Sequence, residues 1–159
     1  YAQTSGKIAV VNSQKAFEMS IEGKKAATQM QERETKIRTD IQKLDDSLRA
    51  LESKINTGRL TMTQEALRAL QADYDKKTTE RKRYEEDAGK DNQQFQYSII
   101  ARVRNEMITV IEQIRKEKNF DLVIDLNASG IITIDPTIDI TDEVVRRYDA
   151  AKVAAGSKR

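Results

Sequence analysis

The chain is organised around a narrow apolar stripe with helical spacing. From residue 37 to residue 55, apolar side chains recur in alternating steps of four and three, and nearly every position between them is charged or polar. Steps of three and four residues bring side chains to one face of an α-helix. A stripe of this width is typical of a coiled-coil seam and is too thin for the core of a globular domain. Its members are Ile37, Ile41, Leu44, Leu48, Leu51 and Ile55.

The pattern predicts two long helices. The first covers residues 14–56, and the second covers residues 61–116 with the same rhythm of apolar positions. Two starts remain open for the second helix, because Thr61 and Gln64 match a capping box whereas Thr63 matches a simple N-cap. At about 1.5 Å per residue, the helices would be about 65 Å and about 84 Å long. Helices of this length do not fit inside a compact globule of 159 residues.

A short break joins the two helices and predicts an antiparallel hairpin with its tip near residues 56–62. Gly58 lies in the break and is able to take the left-handed conformation that closes many helices. Residues that face each other in a hairpin have a constant sum of residue numbers, and sums of 114 and 115 align the apolar positions. The same register places Glu34 opposite Arg81. We expect these two residues to form a cross-helix ion pair that sets the register, and the alternative is that both charges turn into solvent.

Short β-branched runs near both ends of the chain predict a small sheet. Residues 7–12 form one candidate strand, and residues 120–127 and 131–135 form two more. Ser129 and Gly130 between the last two runs predict a hairpin turn. The sequence therefore predicts three short strands, two of them joined as a β-hairpin.

The fold class that follows is α+β, with a small β body and a long helical hairpin as an arm. Residues 1–13 and 117–159 supply the body, which ends in a helix capped by Thr141, and residues 14–116 supply the arm. Three short strands leave exposed edges and bury little surface, which favours association with identical chains. The residues predicted to build this shared body are Ile8, Val10, Leu122, Ile124, Ile132 and Ile134.

Charge and hydropathy narrow the function classes. Charged residues make up 34% of the chain, and the net charge is only +2, with both signs mixed along the predicted arm. This is the pattern of solvated helices, and it lacks the one-sign patch and aromatic platforms that bind nucleic acid. No stretch of 18 apolar residues occurs, so the sequence predicts no membrane-spanning helix.

The residue types of common catalytic and metal sites are scarce. The chain has no cysteine and no histidine, which removes thiolate chemistry and the commonest general base and metal ligand. Acidic residues near the predicted strands match no calcium-loop spacing, and strand-end and N-cap roles explain them better than a cation site does. We therefore predict no enzyme activity, no metal site and no cofactor. These acidic residues are Asp121, Asp125, Asp135, Asp139 and Asp142.

The first five residues are open to two interpretations. Ala2 is small enough to precede a signal-peptidase cut, which makes the segment compatible with the end of a signal peptide. A cloning remnant explains the segment equally well.

Three segments and the hairpin between them resemble the Skp/OmpH family of periplasmic chaperones. The segments are GKIAVVNSQKAF near the start and EKNFDLVIDLNASGI and DITDEVVRRYD near the end. The resemblance covers about residues 6–149. It implies a homotrimer whose strands join in a central β-barrel, with three helical hairpins around a cavity. It also implies an ATP-independent holdase, meaning a chaperone that keeps unfolded outer-membrane proteins soluble in the periplasm.

Apolar residues of the arm are the candidate contacts for an unfolded client protein. Leu60 and Met62 lie at the predicted tip, and Tyr74 and Tyr84 become available if the seam opens. The alternative is that Leu60 closes the hairpin and that both tyrosines are ordinary seam residues. The rival function is a structural coiled-coil spacer or adaptor, because its arms would carry the same seam.

Overall fold

The structure, a computed structural model, describes residues 6–157. The segment interpreted as the end of a signal peptide, residues 1–5, lies outside the described residues. The chain divides into two compact units, which are described separately. Unit 1 contains the described residues up to Thr28 and those from Tyr97 onward, and unit 2 is Gln29–Gln96. Parts of both long helices that were assigned to the arm therefore belong to unit 1.

The protein is mostly helical with one small sheet. Two of its helices are very long, α2 with 38 residues and α3 with 54 residues. The prediction of long helices with a small β component is confirmed. The β-barrel that identical chains would share stays a prediction. In chain order the elements are β1 Ile8–Val11, α1 Ser13–Met19, α2 Ile21–Gly58, α3 Gln64–Glu117, β2 Leu122–Asp125, α4 Leu126–Ser129, a 3₁₀ turn Pro136–Ile138 and α5 Thr141–Gly156.

The first long helix is interrupted at Ser20, so the prediction of an unbroken helix over residues 14–56 is wrong. Ser20 has extended backbone angles, with φ −69° and ψ 152°. Its hydroxyl donates to the Phe17 carbonyl at 2.9 Å and accepts from the Gly23 amide at 3.0 Å. Gly23 makes the close turn possible, because a Cβ there would lie 1.7 Å from the Phe17 carbonyl oxygen.

The sheet has two parallel strands rather than three. Strand β1 pairs with β2 in the register Ile8 with Leu122 through Val11 with Asp125. Within the described residues, β1 makes one further bridge on its own, between Val10 and Asp139. The strands come from opposite ends of the chain, as the sequence predicts, and their parallel direction is compatible with the long helical connection between them.

The predicted β-hairpin at Ser129 and Gly130 is wrong. The Asp125 carboxylate accepts hydrogen bonds from the Asn127 amide at 3.1 Å and the Ser13 hydroxyl at 2.6 Å, and helix α4 begins where a strand was expected to continue. Gly130 does take the left-handed conformation, with φ 65°, but it ends α4. Residues 131–135 form no strand in the single chain.

The core of unit 1 lies between β1, the C-terminal half of α3, and α5. Helix α3 contributes one buried face with helical spacing, and Tyr148 of α5 is 2% exposed. The Tyr148 hydroxyl donates to Glu106 at 2.5 Å, so its polar end is satisfied inside the core. The buried face of α3 consists of Ile99, Val103, Met107, Val110 and Ile114.

Helix α5 starts at Thr141, which is its first residue and not the N-cap that the sequence predicts. The buried Thr141 hydroxyl donates to the Asp139 carboxylate at 2.5 Å and accepts from the Asn12 amide at 2.9 Å. The same Asp139 carboxylate accepts from the Thr141 amide at 2.8 Å. Asp139 therefore satisfies the start of the helix, while Thr141 ties it to the residue that follows β1.

Unit 2 consists of two antiparallel helical segments, residues 29–58 and residues 64–96. Every member of the predicted stripe between Ile37 and Ile55 is half-buried, which confirms the seam. Gly58 is the one fully buried residue in unit 2, and it has no side chain to contribute. The hairpin is therefore held by a thin seam without a closed core.

The turn of the hairpin resolves the open question about the second helix. The Thr63 hydroxyl accepts from the Ala66 amide at 3.2 Å, so Thr63 is the N-cap of α3 and the Thr61 capping box is wrong. Gly58 remains helical, because the positive φ angles in the described chain are those of Asn119 and Gly130. A Cβ at Gly58 would lie 2.5 Å from the Met62 sulfur, so a larger residue there would displace the Met62 side chain.

The register of the hairpin differs from the predicted one. Arg81 donates to Asp45 at 2.8 Å, whereas Glu34 accepts from Gln96 at 3.2 Å, so the predicted Glu34–Arg81 pair is wrong. Asp45 and Arg81 give a residue-number sum of 126 in place of 114 or 115. The shift arises because α2 continues through Gly58 and five residues then form the turn, which moves the midpoint of the hairpin toward the C-terminus.

Candidate functional site

The tip of the hairpin presents exposed apolar side chains. Leu60, in the turn between α2 and α3, is 96% exposed, and Met62 is 45% exposed. Leu60 therefore does not close the hairpin, which removes the packing role that was its alternative. The Met62 sulfur lies over Gly58, so Met62 is partly fixed while Leu60 is free to contact another molecule.

Tyr74 and Tyr84 are half-buried seam residues in the closed hairpin. The Tyr84 hydroxyl donates to the Asp40 carboxylate at 2.9 Å across the hairpin. This hydrogen bond, with a further contribution from burial, raises the pKa of Tyr84. Both tyrosines follow the alternative interpretation, because both are half-buried in the seam while the helices are paired.

Polar contacts join the two helices of unit 2 at several levels. The Arg81 guanidinium bonds Asp45, and Arg33 stacks over the ring of Phe95 at 4.9 Å from its centroid. Asp40 and Asp45 are not among the residues predicted from the sequence, although each is next to a stripe residue and therefore close to the seam. An acidic residue beside an apolar seam position is placed to bond a side chain of the opposite helix, and this spacing could have identified both residues.

Part of the predicted body surface is exposed in the single chain. Ile8 is 42% exposed and its register partner Leu122 is 49% exposed, so they form one apolar patch on the sheet. Ile132 is 99% exposed in the segment that follows α4. The other predicted body residues are covered to different degrees: Val10 is buried, and Ile124 and Ile134 are half-buried.

A groove that the sequence did not predict lies in unit 1 between α1, α3 and the segment from β2 to α4. Its volume is about 770 Å³, and most of its walls are apolar. Ile100 and Ile108, two turns apart on α3, are 43% and 51% exposed there. Arg104 lies between them, and Asp125 and Glu18 supply negative charge on the opposite walls.

Four of the acidic residues near the strands accept hydrogen bonds at a strand end or at the start of a helix: Asp121, Asp125, Asp135 and Asp139. Asp121 accepts from the Lys7 amide at 2.7 Å, and Asp135 accepts from the Thr137 amide at 2.9 Å. Burial acts to raise the pKa of Asp125, but its hydrogen bonds from Ser13 and Asn127 outweigh burial and lower it. Among residues 6–157, no three acidic side chains come together in a way that would hold a metal ion. No described helix is long and apolar enough to cross a membrane.

Comparison with known proteins assigns the chain to a family. A family model described as outer membrane protein (OmpH-like) matches residues 7–148, and the chain belongs to this family. The resemblance to the Skp/OmpH family is thereby confirmed. No protein with curated function matches the chain.

Solved structures share the fold. A crystal structure of an OmpH-like protein from Caulobacter crescentus, described as a candidate outer membrane chaperone, superposes with a TM-score of 0.84. The two sequences are 21% identical, and the match covers 92% of this chain and 85% of that one. At this level of identity the comparison establishes the fold.

Proposed function

We propose that the protein is an ATP-independent holdase that binds unfolded outer-membrane proteins in the periplasm and keeps them from aggregating. The observation that carries this proposal is the membership of the OmpH-like family over residues 7–148. The Caulobacter crescentus protein of the same fold is described as a candidate outer membrane chaperone, which supports the same class of function.

The physical character of unit 2 suits such a role. A client held without nucleotide hydrolysis has to be bound by many weak contacts that exchange easily. A mixed-charge hairpin remains soluble, and its half-buried seam leaves it easy to deform. Leu60 and Met62 at the tip are the proposed first contacts, and Tyr74 and Tyr84 join them where the seam opens.

Clients would be gathered by an oligomer, which we propose to be a homotrimer. The support from the single chain is the exposed patch of Ile8 and Leu122, together with Ile132. In the described residues β2 pairs only with β1, so its other edge is available to an identical chain. The number of three chains comes from the family resemblance.

In this proposal the protein has no catalytic role and uses no cofactor. Two acidic residues of the alternative site already accept backbone hydrogen bonds: Asp121 from the Lys7 amide before β1, and Asp135 from the Thr137 amide in the 3₁₀ turn. We also propose that an export signal delivers the chain to the periplasm.

The test is protection of a β-barrel outer-membrane protein that is diluted out of urea. We expect light scattering from the client to be suppressed when the protein is present at a near-stoichiometric ratio. Leu60→Asp combined with Met62→Asp should weaken protection several-fold. Val153→Asp is the matched control, because Val153 is 64% exposed but lies in α5 of unit 1. Absence of protection by the unaltered chain would favour a coiled-coil spacer.

A further inference from the structure

Two carboxylates of α2 reach across the hairpin of unit 2 within six residues of each other. Asp40 accepts from the Tyr84 hydroxyl at 2.9 Å, and Asp45 accepts from the Arg81 guanidinium at 2.8 Å. These four residues are all half-buried, with 25% of the Asp40 side chain and 31% of the Asp45 side chain exposed. We call this set of four residues the clamp.

The clamp stands out because the apolar seam around it is weak. Each apolar residue of the stripe from Ile37 to Ile55 is only half-buried, so each gives less than the full transfer free energy of a buried side chain. Hydrogen bonds to ionised groups are stronger and more directional than neutral ones. Two such bonds can therefore fix the register of the hairpin, whereas the apolar contacts alone permit the two helices to slide along each other.

We propose that the clamp is an acid-releasable lock, which holds the two helices of the hairpin paired at neutral pH and lets them separate when Asp40 and Asp45 are protonated. The proposal concerns the hairpin itself and does not depend on the holdase function. The released state keeps its helices and loses the contacts between them.

The charges that face each carboxylate determine the direction in which pH changes the stability of the clamp. Asp40 is faced by Lys36 and Lys43 of its own helix and by Tyr84 of α3. The hydrogen bonds from Lys36 and then Tyr84 lower the pKa of Asp40, and burial opposes them. Their stabilising effect is present above the ordinary aspartate pKa of about 3.9 and is lost as the pH falls through the lowered value.

Asp45 is faced by Arg81 of α3 and by Arg49 of its own helix. The bond from Arg81 is the largest influence on Asp45 and lowers its pKa. Arg81 also contacts Glu85 on its own helix, so Arg81 has a partner that does not cross the hairpin. Protonation of Asp45 therefore removes the charged partner of Arg81 that lies across the hairpin.

Pairs of spin labels can measure the separation of the helices directly. The chain has no cysteine, so Thr39→Cys with Glu86→Cys provides specific attachment at two exposed positions on opposite helices of unit 2. Labelled chains are diluted with unlabelled chains, so that only distances within one chain are recorded. Circular dichroism at 222 nm is followed in the same samples to measure helix content.

The expected result is a single narrow distance at pH 7 and a broader, longer distribution at pH 2 with helix content retained. Asp45→Asn combined with Tyr84→Phe should show the broad distribution at both pH values. Asp46→Asn is the matched control, because Asp46 is the next residue but bonds only Gln42 and Arg49 of its own helix. It should behave like the unaltered chain.

Three results would overturn the proposal. The first is a narrow distance at pH 2 in the unaltered chain, and the second is a narrow distance at pH 7 in the Asp45→Asn, Tyr84→Phe variant. The third is broadening that always accompanies an equal loss of helix content, because that would be unfolding and not release of a lock.

Discussion

The Tyr148 hydroxyl on α5 donates a 2.5 Å hydrogen bond to Glu106 on α3, and Lys152 reaches the same carboxylate at 2.8 Å. This contact joins the terminal helix to the helix that covers the sheet, at the edge of the core of unit 1. Burial and then the bond to Glu106 raise the pKa of Tyr148, so the phenol stays protonated and remains a donor. The relationship makes Tyr148 a stability determinant that the apolar pattern did not reveal.

Removing the hydroxyl tests this contact. We expect Tyr148→Phe to lower the free energy of unfolding by about 1.5–3 kcal/mol, because a bond to an ionised carboxylate is lost and the ring stays in place. Urea unfolding at a fixed chain concentration measures the change. Tyr97→Phe is the control, since Tyr97 is 69% exposed, and it should change stability by less than about 0.5 kcal/mol. Equal effects of the two substitutions would contradict the assignment.

Two helical glycines should respond in opposite directions to alanine. Gly23→Ala places a Cβ 1.7 Å from the Phe17 carbonyl oxygen, so we expect it to destabilise the protein by about 1–3 kcal/mol. Gly89→Ala meets no atom within 4 Å and should stabilise α3 by about 0.5–1 kcal/mol, because alanine has the better helix propensity. Thermal unfolding of the two variants provides the measurement. A stabilised Gly23→Ala variant would show that the break at Ser20 does not require the close turn.

The lowered pKa of Glu112 predicts the direction in which stability changes with pH. The side-chain hydrogen bond from Arg115 lowers the pKa of Glu112 to about 2. Because the folded pKa lies below the unfolded value, the stabilising effect is present above about pH 4.3 and is lost as the pH falls through about 2. The carboxyl carbon shift of Glu112 should titrate near pH 2 by NMR, and in Arg115→Gln the midpoint should move up toward 4.5. An unaltered midpoint in that variant would rule out Arg115 as the cause.

Substitution of an exposed residue of the predicted body should change the assembly of the chains without changing the folding of each chain. Ile132→Asp should lower the oligomeric mass while leaving helix content unchanged, because Ile132 is 99% exposed and contributes nothing to the core of its own chain. Light scattering coupled to size exclusion measures the mass. Val153→Asp, at an exposed position of α5, should keep the mass of the unaltered protein. Loss of helix content in Ile132→Asp would show that the residue acts in folding.

The seam could be predicted from sequence because it depends only on local spacing. The stripe from Ile37 to Ile55 follows helical periodicity, and each of its members is half-buried as that periodicity requires. The register could not be predicted in the same way. It depends on where α2 ends and how many residues turn, and a difference of a few residues at Gly58 changes every cross-helix partner, including that of Arg81.

The incorrect predictions near the two ends of the chain have a common cause, which is hydrogen bonding by side chains. Asp125 bonds Ser13 and Asn127 and starts a helix, although the β-branched run predicts that the strand continues. Ser20 similarly ends α1 with its hydroxyl, which a periodicity argument does not detect. Residues 131–135 have strand-forming side chains but no strand partner in the single chain, so their β-branched pattern alone did not predict their structure.

We propose that identical chains assemble and hold an unfolded client without nucleotide. Native mass spectrometry of the purified protein, with and without an unfolded β-barrel membrane protein and without ATP, measures both steps. We expect a mass of three chains that increases by the mass of one client. A single chain in both samples, or an assembly to which no client adds, would contradict it.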